Sequence, residues 1–365
     1  KIVHEPAKGM SRRDLGTSIR RRGRTVDKSA MEQMLRRERA MRKRRRKQKS
    51  ISLAAAVSKN VIALATSLHG IGPLIQDGTL RKRVADMEPA WHPPRGFSLV
   101  PIEMSNFSME LLLHQIGDNA GDSEQVDTAE RLLMENREVV LQLHGGGYIG
   151  KIRNAYRDFA VLYAKMPGKR AVLSVDYRVA PENPYPAALE DACAAYEWLL
   201  EMGCASDKIV VAGDSAGGGT ALALCLYLKD KKKPLPKKLV LMSPWTDLAA
   251  TGDSYETNFE KDPLFGNTTD SMIYNNAYYG DNDPKLPYIS PLYGDYEGLP
   301  PMLFQVGGAE MLLSDSVRAA KKAKAAECEV HLTVYDEMFH VFQLGMKMMK
   351  ESRNAWKEIE EFLNC

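Results

Sequence analysis

Short apolar runs rich in Val, Leu, Ile and Met recur along the chain at 138–143, 171–175, 208–212, 238–242, 301–306 and 329–335. Most are apolar at consecutive positions, the pattern of strands buried on both faces. Between them, near 153–165, 187–202, 216–229, 315–326 and 342–363, apolar positions recur every three or four residues and predict helices. Strand and helix in alternation imply βαβ units, hence a mostly parallel sheet covered by helices on both faces. Ahead of this rhythm, 97–104 and 109–115 predict an antiparallel pair of strands.

The pattern changes towards the N-terminus. Leu53, Val57, Val61, Leu64 and Leu68 follow one another at steps of four, four, three and four, which predicts an amphipathic helix with one buried face. Lys59 and Asn60 interrupt its apolar run, and a long basic stretch precedes it, so it reads neither as a membrane span nor as a signal peptide. A linker is expected at 89–96, with Pro93-Pro94, and an exposed acidic loop at 117–136. Residues 253–292, rich in Tyr, Asn and Pro, break the strand and helix rhythm and are expected to cover a pocket.

Composition adds a charge asymmetry. The chain has 365 residues, 44% hydrophobic and 27% charged, ordinary for a soluble globular protein and enough for one large α/β domain with an appendage. Its net charge of +3 conceals 19 Lys and Arg against five Asp and Glu in residues 1–50. Residues 1–27 lack periodicity and read as a mobile basic arm, whereas 28–49 are helix-forming and hold the cluster Arg42-Lys43-Arg44-Arg45-Arg46-Lys47. Such blocks are commonly solvated surface. The partner reading is therefore a weak contact with an anionic surface through this arm, with no nucleic acid expected. Five cysteines, odd in number and without a Cys-x-x-Cys, argue against a disulfide framework or a zinc site and for a reducing, cytoplasmic setting. No metal and no cofactor are expected.

Two glycine-rich turns carry the chemistry. The run Val210-Val211-Ala212-Gly213-Asp214-Ser215-Ala216-Gly217-Gly218 passes from predicted strand to predicted helix with the serine on the turn. A hydroxyl is lifted to the top of a sheet only by a very sharp turn, and the flanking Gly213 and Gly217 let strand and helix approach. Upstream, Leu141-Gln142-Leu143-His144-Gly145-Gly146-Gly147-Tyr148 is a strand running into consecutive glycines, whose bare N–H groups suit a developing oxyanion. A phosphate loop is the rival reading, but no Gly-Lys-Ser/Thr and no Gly-x-Gly-x-x-Gly opening a helix is present.

Taken in order, His144-Gly145-Gly146-Gly147, Asp176-Tyr177-Arg178-Val179-Ala180-Pro181-Glu182, Pro186-Ala187-Ala188-Leu189-Glu190-Asp191, Gly213-Asp214-Ser215-Ala216-Gly217-Gly218, Ser290-Pro291-Leu292 and Leu299-Pro300-Pro301 form a specific set. Over about residues 95–365 the chain resembles the α/β-hydrolase superfamily, in particular the hormone-sensitive-lipase-like (bacterial family IV) esterases. The resemblance implies an α/β-hydrolase fold under an N-terminal helical cap, here residues 28–94 with a contribution from 253–292. It implies hydrolysis of short-acyl carboxylic esters, with Asp214, Tyr177, Arg178 and Glu182 supporting the site, and pairing into a homodimer. Alternatives are a specialised acetyl esterase or deacetylase of sugars or xenobiotics, and a ligand receptor that keeps the fold without the catalysis.

The nucleophile needs a base, and histidine is suited by its pKa. In the α/β-hydrolase order only His331 and His340 follow Ser215. His331 lies inside a predicted strand, whereas His340 lies in the loop after it, where the family places its histidine. Many relatives read Asp-Pro-Leu-x-Asp after the preceding strand, the first aspartate being the acid. Glu310 holds that position, and Asp315, at a predicted helix start, is the rival. The expected site is thus Ser215, Glu310 and His340, with the N–H groups of Gly145, Gly146 and Ala216 as oxyanion hole and His144 shaping the glycine loop.

Overall fold

In the computed structural model of the protein, residues 51–66, 79, 83, 86–114, 138–168, 170–268, 271–274 and 276–365 are described. The expectations for the basic arm at 1–27, the helix at 28–49 and the acidic loop at 117–136 lie outside these residues.

Among the described residues eight strands form one sheet in the order β1-β2-β4-β3-β5-β6-β7-β8. The antiparallel pair is β1 (Phe97–Glu103) and β2 (Ser108–His114), and β2 also runs antiparallel to β4 (Ala171–Asp176). The remaining pairings, through β3 (Val139–Leu143), β5 (Ile209–Asp214), β6 (Lys238–Met242), β7 (Met302–Gly307) and β8 (Val330–Tyr335), are all parallel. Because successive side chains of a strand point to opposite faces, each apolar run fills two cores. Val140, Val210, Val240 and Leu303 meet α2 (Asn154–Lys165) and the C-terminal α7 (Lys350–Asn364), where Phe159 and Tyr163 sit edge-on to Trp356. Leu141, Val211, Leu241 and Phe304 fill the other core with α3 (Ala187–Glu201), α4 (Ser215–Asp230) and α6 (Leu313–Ala325). The short α5 (Ser254–Thr257) stands in the 253–292 insertion. In such a sheet the chain leaves every parallel strand at the same, carboxyl edge, which gathers the loops after β3, β5, β6, β7 and β8.

Two sequence expectations are corrected. α1 (Leu53–Thr66) forms, but the stripe through Leu53 and Val57 does not face inwards: they are 82% and 53% exposed. The docked side is instead Ala55, with Ile51, Ala54 and Ile62, against Met338, Phe339, Phe342 and Met349. A small alanine admits close approach to those large side chains, which the bulkier stripe would prevent. Secondly, no helix spans 342–363. A 3-10 turn, Phe342–Gly345, is followed by an irregular link, and α7 starts only at Lys350. Val341 and Met346 have φ of 49° and 41°, outside the right-handed helical region. The carbonyl of Gln343 accepts from Trp356 Nε1 and Ser352 Oγ, so side chains of α7 satisfy what a continuous helix would have satisfied itself.

All five cysteines are free. Among the described residues no helix is long and apolar enough to cross a membrane, and no cluster of three or more His, Cys, Asp or Glu is placed to hold a metal ion.

Candidate active site

Ser215 follows β5 directly and opens α4, and its φ of 52° places it in the left-handed region. For a non-glycine residue that conformation costs on the order of 1–3 kcal/mol, and it persists because the surroundings fix it. A β-carbon on Gly213 would run into the carbonyl of Gly217, and one on Gly217 into the carbonyls of Leu143 and His144. Only glycine fits at these two places. The backbone N–H of Trp245 donates to the Ser215 carbonyl and holds the turn from the β6 side.

Two later loops meet at this serine. His340, carried on the loop after β8, has Nε2 2.9 Å from Ser215 Oγ. Its Nδ1 stands 2.6 Å from Glu310 Oε2, on the loop after β7. All three side chains are buried. Burial alone would lower the His340 pKa, but the hydrogen bond and charge of Glu310 outweigh it, with Asp262 and Asp214 adding to them, and the pKa is raised. Phe265 lies against the imidazole, ring centroids 4.9 Å apart.

Asp315, the rival acid, is buried elsewhere. It accepts the backbone N–H groups of Thr246 and Asp247 and the hydroxyl of Tyr255, and braces the segment after β6. Burial pushes its carboxyl up to about 8, with the charge of Asp247 adding to the effect. His331 is exposed on the edge strand β8, beside Glu329.

The glycine loop differs from expectation at one position. The N–H of Gly145 donates to Asp214 Oδ1 at 3.0 Å, so it faces a carboxylate and not the space beside Ser215. Among the described hydrogen bonds none uses the N–H of Gly146 or Gly147, and that of Ala216 stands at the open start of α4. The N–H of Gly145, expected in the oxyanion set, is therefore engaged by Asp214, while those of Gly146 and Gly147 have no partner among the described hydrogen bonds. The reason is tertiary: Asp214, held in addition by Tyr156 Oη at 3.3 Å, reaches across from β5 to the second amide after β3. Burial pushes the Asp214 carboxyl up to about 7, against the pull of His340 and the Gly145 N–H.

His144 shapes this loop from behind. Its ring stacks on Tyr177, centroids 4.1 Å apart, and Tyr177 Oη donates to the His144 carbonyl. Burial lowers its pKa to about 4, so the imidazole is neutral near neutral pH. Arg178 is held by Asp191 through its backbone N–H and guanidinium, and Glu182 is exposed.

Sequence reasoning passed over several contributors. Ser243, after β6, donates its hydroxyl to Glu310 Oε1 and accepts the N–H of Val341, tying the acid to the residue next to His340. The N–H of Gly307 also points at Glu310 Oε1. From the 253–292 insertion, Asn258 Nδ2 donates to the Glu310 carbonyl and Asp262 accepts the N–H of Met311. Further along, Asn276 Nδ2 donates to the Gly147 carbonyl, and the sulfur of Met272 occupies the place a β-carbon on Gly147 would need. Ser243 carried a faint signal, a small polar residue ending a predicted strand. Asn258, Asp262 and Met272 carried none, because the insertion has no periodicity.

The family model described as alpha/beta hydrolase fold matches residues 140–344. An acetyl-hydrolase of Streptomyces hygroscopicus is 36% identical over 277 residues, 75% of this chain and 92% of its own. An esterase of Acinetobacter venetianus is 36% identical over 225 residues, 62% of this chain and 74% of its own. Among solved structures, an esterase from the bacterial hormone-sensitive lipase family superposes with a TM-score of 0.71 at 33% identity, covering 86% of this chain and 98% of that one. The chain belongs to the alpha/beta hydrolase fold family, in its hormone-sensitive-lipase-like esterase branch.

Proposed function

We propose that this protein is a serine carboxylesterase that cleaves short-acyl esters through an acyl-enzyme, with Ser215 as nucleophile, His340 as base and Glu310 as the acid. The observation that carries the reading is the unbroken line Ser215 Oγ, His340 Nε2, His340 Nδ1, Glu310 Oε2, at 2.9 and 2.6 Å. Ser215 attacks the ester carbonyl as His340 takes its proton and then returns it to the departing alcohol, and water repeats the cycle on the acyl-enzyme. Glu310 orients the ring and stabilises its cationic form. The N–H groups of Gly146, Gly147 and Ala216 receive the oxyanion, assisted by the N-terminal dipole of α4.

A small acyl group is favoured because Met272 sits against Gly147, and the next residue, Tyr148, is held in a stack with Tyr278, centroids 3.7 Å apart. The names of relatives that act on acetyl groups point the same way. Residues 253–292 are the candidate cap, since Phe265 and Met272 lie against His340 and Gly147.

The test is p-nitrophenyl butyrate hydrolysis by Ser215→Ala. Activity is expected to fall by about 10⁴-fold or more with the fold intact. Phenylmethylsulfonyl fluoride should add one covalent mass to the native chain, on the peptide holding Ser215. Turnover surviving in the variant, or label on another residue, would refute the assignment.

A further inference from the structure

The apolar face that α1 leaves outside has neighbours. Ser52 donates both its N–H and its hydroxyl to Glu351, at 2.8 and 2.7 Å, fixing the start of α1 against the start of α7. The 342–349 link, whose Phe342 and Met349 pack with Ala55 of α1, carries Met348, 77% exposed, and Leu344, 38% exposed, while Leu53 and Val57 are exposed on α1. Lys347, Lys350 and Arg353 of the same stretch are exposed, and the one acid within 342–353 is Glu351, already held by Ser52. Single exposed apolar side chains are ordinary, whereas four large ones at one joint, fringed by cations, mark an interaction surface.

We propose that this joint is a docking surface for an anionic phospholipid bilayer. Leu53, Val57, Leu344 and Met348 enter the headgroup boundary while Lys347, Lys350 and Arg353 meet the phosphates. Charge selects this occupant. A second copy placed symmetrically would set the same three cations against themselves, and a nucleic acid would leave the apolar residues wet. The sequence just upstream is of the same sign, with 19 Lys and Arg against five Asp and Glu in residues 1–50. Residues 51–365, with 31 against 42, are net acidic, so an anionic surface repels the body and admits the molecule by this side. The link bearing Leu344 and Met348 begins just past His340 in the sequence.

The test is cosedimentation of the full chain with vesicles of phosphatidylcholine, pure or mixed with about a third phosphatidylglycerol. Binding is expected to the mixed vesicles and not to the neutral ones. The double variant Leu53→Asp, Val57→Asp should weaken it by at least about tenfold, with hydrolysis of soluble p-nitrophenyl butyrate unchanged. Met348→Gln and Lys350→Gln, each milder, should weaken it severalfold and carry the test if the double variant fails to fold. Binding undiminished in these variants would mean that basic charge elsewhere suffices, and overturns the proposal. Equal binding to neutral vesicles overturns it too, as does a lowered sedimentation coefficient of the double variant with vesicle binding intact, which would give the face to a second copy.

Discussion

At the scale of single residues, two buried carboxylates in consecutive turns have opposite duties. Glu310 touches His340, whereas Asp315 is ringed by backbone N–H groups and a tyrosine hydroxyl. Glu310→Gln is therefore expected to lower kcat by about 10²- to 10⁴-fold, because the imidazole loses its anionic partner and its fixed orientation. Asp315→Asn should leave the rate within about threefold, which initial-rate assays of the two variants decide. The pH profile follows from the raised His340 pKa. The base must be neutral to accept the serine proton, so the acid limb of kcat/KM should have its midpoint above the ordinary histidine value of about 6.5, and Glu310→Gln should move it down. For Asp315 the consequence falls on stability: a carboxyl raised to about 8 in the folded chain binds a proton that the unfolded chain has released. This group thus takes stability away as pH rises from about 4 towards 8, and denaturant midpoints of Asp315→Asn should show a weaker decline over that window.

At the scale of elements, the strand-to-helix turn between β5 and α4 is held by close backbone approach and not by side chains. Gly217→Ala would force a β-carbon onto the carbonyl oxygens at the end of β3, and neither backbone can withdraw without parting sheet from helix. The variant should lose more than about 3 kcal/mol in urea unfolding, or fail to accumulate as folded protein, although one methyl is all it gains. α1 teaches the converse. Its sequence offers two apolar faces, and the smaller, alanine-bearing one docks because the large side chains of the His340 loop already fill the space.

At the scale of the whole molecule, the site is assembled from loops spread between residues 144 and 340, and its walls come from an insertion with no regular pattern. For the proposed esterase, those walls are the expected determinant of substrate range. A panel of p-nitrophenyl esters from acetate to palmitate should give the highest kcat/KM at the short end, while a maximum on the longest chains would show the space beside Gly147 to be open. Shortening Met272 to alanine should shift the optimum towards longer acyl groups.

The sequence by itself determined the alternation of strand and helix, the elbow around Ser215 and the glycine run after β3, because each is written in local periodicity or in a short ordered motif, while Glu310 and His340 were named through chain order and the family resemblance. Tertiary structure alone decided which glycine amides remain available, since Asp214 engages Gly145 from a strand some seventy residues away in sequence. It also decided which face of α1 is buried and where α7 begins. Those outcomes depend on competition between side chains for one space and for one backbone partner, and such competition has no period along the chain.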